Sequence, residues 1–152
     1  MDEPDKRVFY RKEPGCNFQT LMTDCVVQAN FMQALACYEN VEILSKLLPE
    51  FYEIKWLKKA TDSKGMMSAK QKFPWPLRDR EMYYHVTGVA DYKNKGLITV
   101  SKSKYTGESY HGEVVPPESS RFTRIDVKKG YNFFLYLGPN KSRHIGIWNI
   151  NP

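Results

Sequence analysis

KFPWPLRDREMYY, residues 72–84, is the stretch whose reading decides the fold. Two prolines flank a tryptophan, a block of alternating charge follows, and from residue 81 the chain reads as a strand. Each proline fixes φ and lacks an N–H, so a hydrogen-bonded ladder is interrupted at Pro74 and Pro76 and the chain can turn. Arg78, Asp79, Arg80 and Glu81 then stand where they can pair across the turn and with a neighbouring strand. A rigid corner of this kind suits the rim of a sheet that bends, and the segments on either side are strands.

Upstream, FYEIKWLKKA (51–60) alternates, TDSKG turns, and MMSAKQKF (66–73) returns. Downstream, EMYYHVTGV (81–89) and LITVSKS (97–103) flank the turn ADYKNKG. RFTRIDV (121–127), YNFFLYL (131–137) and RHIGIWN (143–149) continue the series, with Lys-Lys-Gly and Gly-Pro-Asn-Lys read as the linking turns. Residues 104–120 have no period, two prolines and two glycines, and form the longest loop. At the other end of the chain, 6–12 and 18–29 read as strands around Pro14-Gly15. Asn30 and Asn40 each supply a side-chain oxygen to cap a short helix, FMQALACYE and VEILSKLL, the second ending before Pro49. Leu44, Leu47, Leu48 and Phe51 fall at helical spacing and should face a core. A long antiparallel sheet tends to curl, and two short helices are too small to cover its whole hollow side.

With 152 residues, 41% hydrophobic and 26% charged, the chain has the make-up of one folded domain. Ten tyrosines and eight phenylalanines suit a β-rich interior or a large pocket. The net charge of +6 is uneven: residues 76–152 carry 12 Lys/Arg against 7 Asp/Glu, whereas 1–75 carry 11 against 10. Lys93, Lys95, Lys102, Lys104, Lys128, Lys129, Lys141 and Arg143 fall mostly at turns and strand ends, and form either a solvated rim or a site for an anionic membrane surface. Three cysteines, Cys16, Cys25 and Cys37, with no C-x-x-C, point to a reducing compartment rather than to a disulfide framework or zinc site. MDEPDKR does not open a signal peptide, and no apolar run is long enough to cross a bilayer, so the cytosol is the expected location.

Catalytic signatures are missing. No G-x-S-x-G elbow, phosphate-cradling loop or metal-spaced histidine pair occurs, and His85, His111 and His144 are isolated in sequence. His85 is read as a polar cavity or surface residue. Aromatic residues interleave with basic ones, yet the RNA-recognition signature is missing, so no nucleic-acid partner is expected. No cofactor is expected either.

The ordered set of pieces resembles the START domain, the steroidogenic-acute-regulatory-protein-related lipid-transfer module. Pro74-Trp75-Pro76 and Arg80-Glu81 occupy the places of its Pro-Trp-Pro and Arg-acid block, with Glu where Asp is commoner. The N-terminal strands, Leu35 and Glu39, Ile98-Thr99-Val100 with Ser101 and Ser103, and the approach to residues 121–126 also match. The resemblance implies an α+β helix-grip fold, a curved antiparallel sheet with two short helices after the second strand, wrapped in the family around a long C-terminal helix. The sequence reaches Asn149-Ile150-Asn151-Pro152 where the family would begin that helix, so the expectation is a single domain truncated at both ends, either a fragment or an unusually short member.

The resemblance further implies a lipid partner, bound without covalent chemistry and carried between membranes or sensed. By an ungapped count, Met67 and Val86 stand where several sterol- and phospholipid-binding members place a buried acid or arginine, so sterol specificity is not carried over; a phospholipid-like amphiphile is the expected ligand. A lipid cavity needs apolar walls and a few polar groups. Met67, Tyr84, Val86, Arg124, Phe134, Tyr136 and Trp148 are the candidate lining residues, with Arg124, Tyr84, Tyr136 and Trp148 as its polar or amphipathic contacts. Residues 104–120 and the missing terminal element would gate entry. A protein-interaction module using the same groove and a helix-grip enzyme on an apolar substrate are the alternatives.

Overall fold

The computed structural model describes residues 6–15 and 17–151, so Cys16 and residues 1–5 of the stretch read for a signal peptide lie outside the described residues. The elements in chain order are β1 (Lys6–Lys12), β2 (Gln19–Val27), α1 (Phe31–Glu39), α2 (Val41–Leu47), β3 (Phe51–Thr61), β4 (Lys64–Gln71), β5 (Asp79–Asp91), β6 (Gly96–Ser103), β7 (Ser109–Tyr110), β8 (Glu113–Val114), β9 (Phe122–Arg124), β10 (Asp126–Gly138) and β11 (Lys141–Asn151). The main sheet runs β1-β2-β11-β10-β6-β5-β4-β3, antiparallel throughout, with β9 joined in parallel to the start of β5. Among the described residues no helix follows β11.

Both helices start where the asparagines place them. Asn30 Oδ1 accepts from the Met32 N–H at 2.8 Å, and the Gln33 side chain accepts from the Asn30 N–H at 3.2 Å, closing a capping box. Asn40 Oδ1 accepts from the N–H groups of Glu42 and Ile43. The helices lie over the hollow side of the sheet. Leu44 packs there with Ile54, Met67, Ala69 and Tyr84, with Leu48 and Phe51 partly buried against them, whereas Leu47 is exposed.

The 72–78 corner keeps Trp75 out of the core, 92% exposed, so its work is done by backbone and by charge. The Asp79 carboxylate accepts from the Phe73 N–H, the Arg80 guanidinium lies 4.7 Å from the Phe73 ring centre, and Arg78 donates to the Ser120 carbonyl. Glu81 is buried and pairs with Arg124 at 2.7 Å. The charge block thus ties the start of β5 to β9.

Three segments differ from the sequence-based expectation. Residues 121–127 are not one strand: Phe122–Arg124 forms β9, parallel to β5, and Asp126 and Val127 open β10. Lys128-Lys129-Gly130 is not a turn but part of β10. Val127 pairs with Ile150 and Lys129 with Asn149, leaving Lys128 as the extra residue of a bulge. The bulge reverses which residues face the hollow: Ile125 and Val127 before it, Asn132 and Phe134 after it. Gly130 fits this crossing because a Cβ there would sit 2.8 Å from the Trp148 ring. Residues 104–120 are not structureless either. They carry the β7–β8 hairpin, bury Val115 and set Tyr110 4.8 Å from His85 on the opposite face of the sheet from the helices.

Candidate functional site

A cavity of about 710 Å³ lies between the hollow side of the sheet and the two helices. Strand alternation supplies its walls: Met67 and Ala69 from β4, Met82, Tyr84 and Val86 from β5, Phe134 from β10, and Trp148 and Ile150 from β11. Of the sequence-predicted residues, Met67, Tyr84, Val86, Phe134 and Trp148 therefore come together on one surface. Tyr84 meets Trp148 edge to face at 6.5 Å, and burial pushes its hydroxyl up to about 12, so it remains a hydrogen-bond donor at neutral pH.

Two of the proposed contacts are not on that surface. Arg124 alternates with Ile125, and it is Ile125 that faces the cavity. The Arg124 side chain instead donates to Glu81, to Thr106 Oγ1 at 3.3 Å and to the Pro116 carbonyl at 3.1 Å, pinning the 104–120 segment to the far face. Tyr136 shares the alternation of Asn132 and Phe134 but lies beyond the cavity, 41% exposed near the β10–β11 turn. The corner residues Pro74, Trp75, Pro76, Arg80 and Glu81 also stand off the cavity wall, and so does all of 104–120, which places the expected gate on the wrong face.

Beside Tyr84 and Trp148, a polar cluster in the cavity comes from residues that sequence reasoning did not pair. Tyr38 donates to Asn132 Oδ1 at 3.1 Å, Asn132 Nδ2 donates to Thr99 Oγ1 at 3.2 Å, and His144 Nε2 lies 3.2 Å from Asn132 Oδ1. Asn132 is 1% exposed and serves as the hub. Burial lowers the His144 pKa and raises that of Tyr38, so both are neutral at pH 7. These residues lie on α1, β6, β10 and β11, with Tyr38 and Asn132 94 positions apart, and no local spacing signals them. The charged residues on the cavity lining are all acidic: Glu39, Glu50 and Asp62. Among the described residues no cluster of His, Cys, Asp and Glu is arranged to hold a metal, and no helix is long and apolar enough to cross a membrane.

No protein-family model and no curated protein matches the chain. Solved structures do. The lipid transfer and protein localization domain of human StarD13 (DLC2) aligns over 99% of this chain and 72% of its own, at TM-score 0.71 and 17% identity. Human STARD10 aligns over 100% of this chain at TM-score 0.82 and 10% identity, and this chain spans 59% of it. A STAR-related lipid transfer protein from Xanthomonas axonopodis aligns over 100% of this chain and 80% of its own, at TM-score 0.75 and 14% identity. The architecture is the START-type helix-grip fold: the large antiparallel sheet is not closed into a barrel, and two short helices follow its second strand.

Proposed function

We propose that the chain binds one lipid, non-covalently, in the cavity between sheet and helices, and transfers or senses it. The observation that carries this reading is the cavity itself, about 710 Å³ with apolar walls and a small neutral polar cluster. Ligand cavities run from roughly 300 to 1,000 Å³ with this division of labour. Binding would draw on burial of hydrocarbon at about 25 cal/mol per Å². The START-like neighbours, named as lipid transfer proteins and domains, support the same class of ligand.

A phospholipid-like amphiphile with a zwitterionic head is the favoured ligand. Its cationic end would complement one of the acids on the lining, Glu39, Glu50 or Asp62, the last two of which flank opposite ends of β3, and no Lys or Arg lines the cavity to attract a purely anionic head. A sterol offers no charge to these carboxylates. Native mass spectrometry tests the proposal after incubation with equimolar phosphatidylcholine, phosphatidylserine and cholesterol. One bound phosphatidylcholine per chain is expected. A protein that stays empty under all three rejects lipid binding, and preferential cholesterol uptake rejects the headgroup assignment.

A further inference from the structure

The turn lysines separate into two groups at opposite ends of the sheet. Lys128 and Lys129 lie at one end, near Lys12 on the β1 edge. Lys93 and Lys95 lie at the other, on the β5–β6 turn, beside Lys141 at the β10–β11 turn. These two turns are neighbours, because Leu135 pairs with Gly96 and the Tyr136 N–H donates to the Lys95 carbonyl at 3.1 Å. All three lysines are exposed, and none forms an ion pair among the described residues. Two of the acids nearby are engaged: Asp91 accepts from the Asn94 N–H and side chain, and Asp24 is taken by Arg143 in a two-pronged pair at 2.8 and 2.6 Å, whereas Asp62, beside Ser63, is exposed.

Apolar surface stands among these cations. Tyr92 is 90% exposed, Leu137 49% and Tyr136 41%. The cavity reaches the same end, where Val27, Ser63, Gly88 and Leu97 are on its lining. A lysine cluster interleaved with exposed tyrosine and leucine complements an anionic lipid surface: the ammonium groups meet the headgroups while the rings settle at the interface.

We propose that this end of the sheet, built on Tyr92, Lys93, Lys95, Tyr136, Leu137 and Lys141, docks the protein on a bilayer containing anionic lipids. Its purpose, bringing the cavity to the membrane, rests on the lipid-binding reading above. The docked surface and the bound ligand differ in charge, the membrane being anionic and the ligand zwitterionic.

The test is flotation of the whole chain with vesicles of phosphatidylcholine alone and of phosphatidylcholine with phosphatidylserine. The protein should float with the second and not the first, and added salt should release it. K93Q/K95Q/K141Q should lose roughly 100-fold in partitioning, at about fivefold per lysine. K12Q/K128Q/K129Q, at the far end, should lose less than about threefold. Equal binding to both vesicles, no vesicle binding, an equal loss from the far-end variant, or binding to a single-stranded oligonucleotide in place of vesicles would each overturn the proposal. Native mass spectrometry of the same samples separates the two readings. A loaded protein that ignores vesicles rejects docking alone, and an empty protein that floats rejects the ligand alone.

Discussion

Removing one member of the Glu81–Arg124 pair should be among the most damaging single changes outside the cavity. The two side chains are 6% and 9% exposed and meet at 2.7 Å, so neither charge can turn to water when its partner is lost. Breaking a buried pair from one side costs about 3–5 kcal/mol. Glu81→Gln keeps the shape and an acceptor oxygen, which puts it at the low end, near 3 kcal/mol, or a fall of roughly 6–12 °C in Tm for a domain of this size. Arg124→Met should cost more. It leaves the Glu81 carboxylate buried and also releases the Pro116 carbonyl and Thr106 hydroxyl. It should therefore open residues 104–120 to limited proteolysis as well as lower stability. Urea denaturation of both single variants and of E81Q/R124M measures the coupling, and the double variant should lose less than the sum of the singles. Single losses below about 1 kcal/mol would refute the view that this pair locks β5, β9 and the 104–120 segment together.

Ala69→Phe should crowd a ring in among Leu44, Ile54, Met67 and Tyr84, reducing lipid uptake several-fold at a stability cost of about 1–3 kcal/mol, as read by native mass spectrometry and thermal denaturation; undiminished uptake in folded protein would place the ligand elsewhere. Gly130→Ala should destabilise by about 1–3 kcal/mol, because its methyl group would meet the Trp148 ring, and equilibrium denaturation checks this. His144 has a folded pKa pushed by burial below its ordinary 6.5, so the unfolded chain takes up the proton first. The sign is then fixed: no cost above about pH 7, and stability falling as pH drops through 6.5 toward the folded value. His85 is shifted the same way by its own burial and adds to the slope. His144→Gln should flatten the loss between about pH 7.5 and 5.5, and an unchanged slope would show that burial of this ring does not drive it.

What could be read from the sequence was what local chemistry decides. Asn30 and Asn40 cap their helices because a side-chain oxygen two or three residues from a free N–H needs no tertiary context. The strand positions followed from alternation, and so did the grouping of Arg124 apart from Ile125 and Val127. Which of the two groups faces the hollow is set by the sheet as a whole, and Arg124 was placed on the wrong one. The Lys128 bulge was read as a turn because its Lys-Lys-Gly chemistry fits both; only the register of β10 against β11 distinguishes them. Tyr136 has the right parity and the wrong height along its strand, a distinction that depends on where the helices stop covering the sheet. The Tyr38–Asn132–Thr99–His144 cluster was invisible because four elements must assemble before any of its bonds exists.

Fluorescence quenching tests most directly whether a lipid chain lies against Trp148. In a W56F/W75F variant the emission reports Trp148 alone, since the chain has three tryptophans. Loading with a phosphatidylcholine brominated in its acyl chain, followed by removal of all vesicles, should quench that emission strongly. A W56F/W148F variant, left with only the outward-facing Trp75, should be unaffected. Unquenched Trp148 in protein shown by mass to carry the brominated lipid would contradict the account.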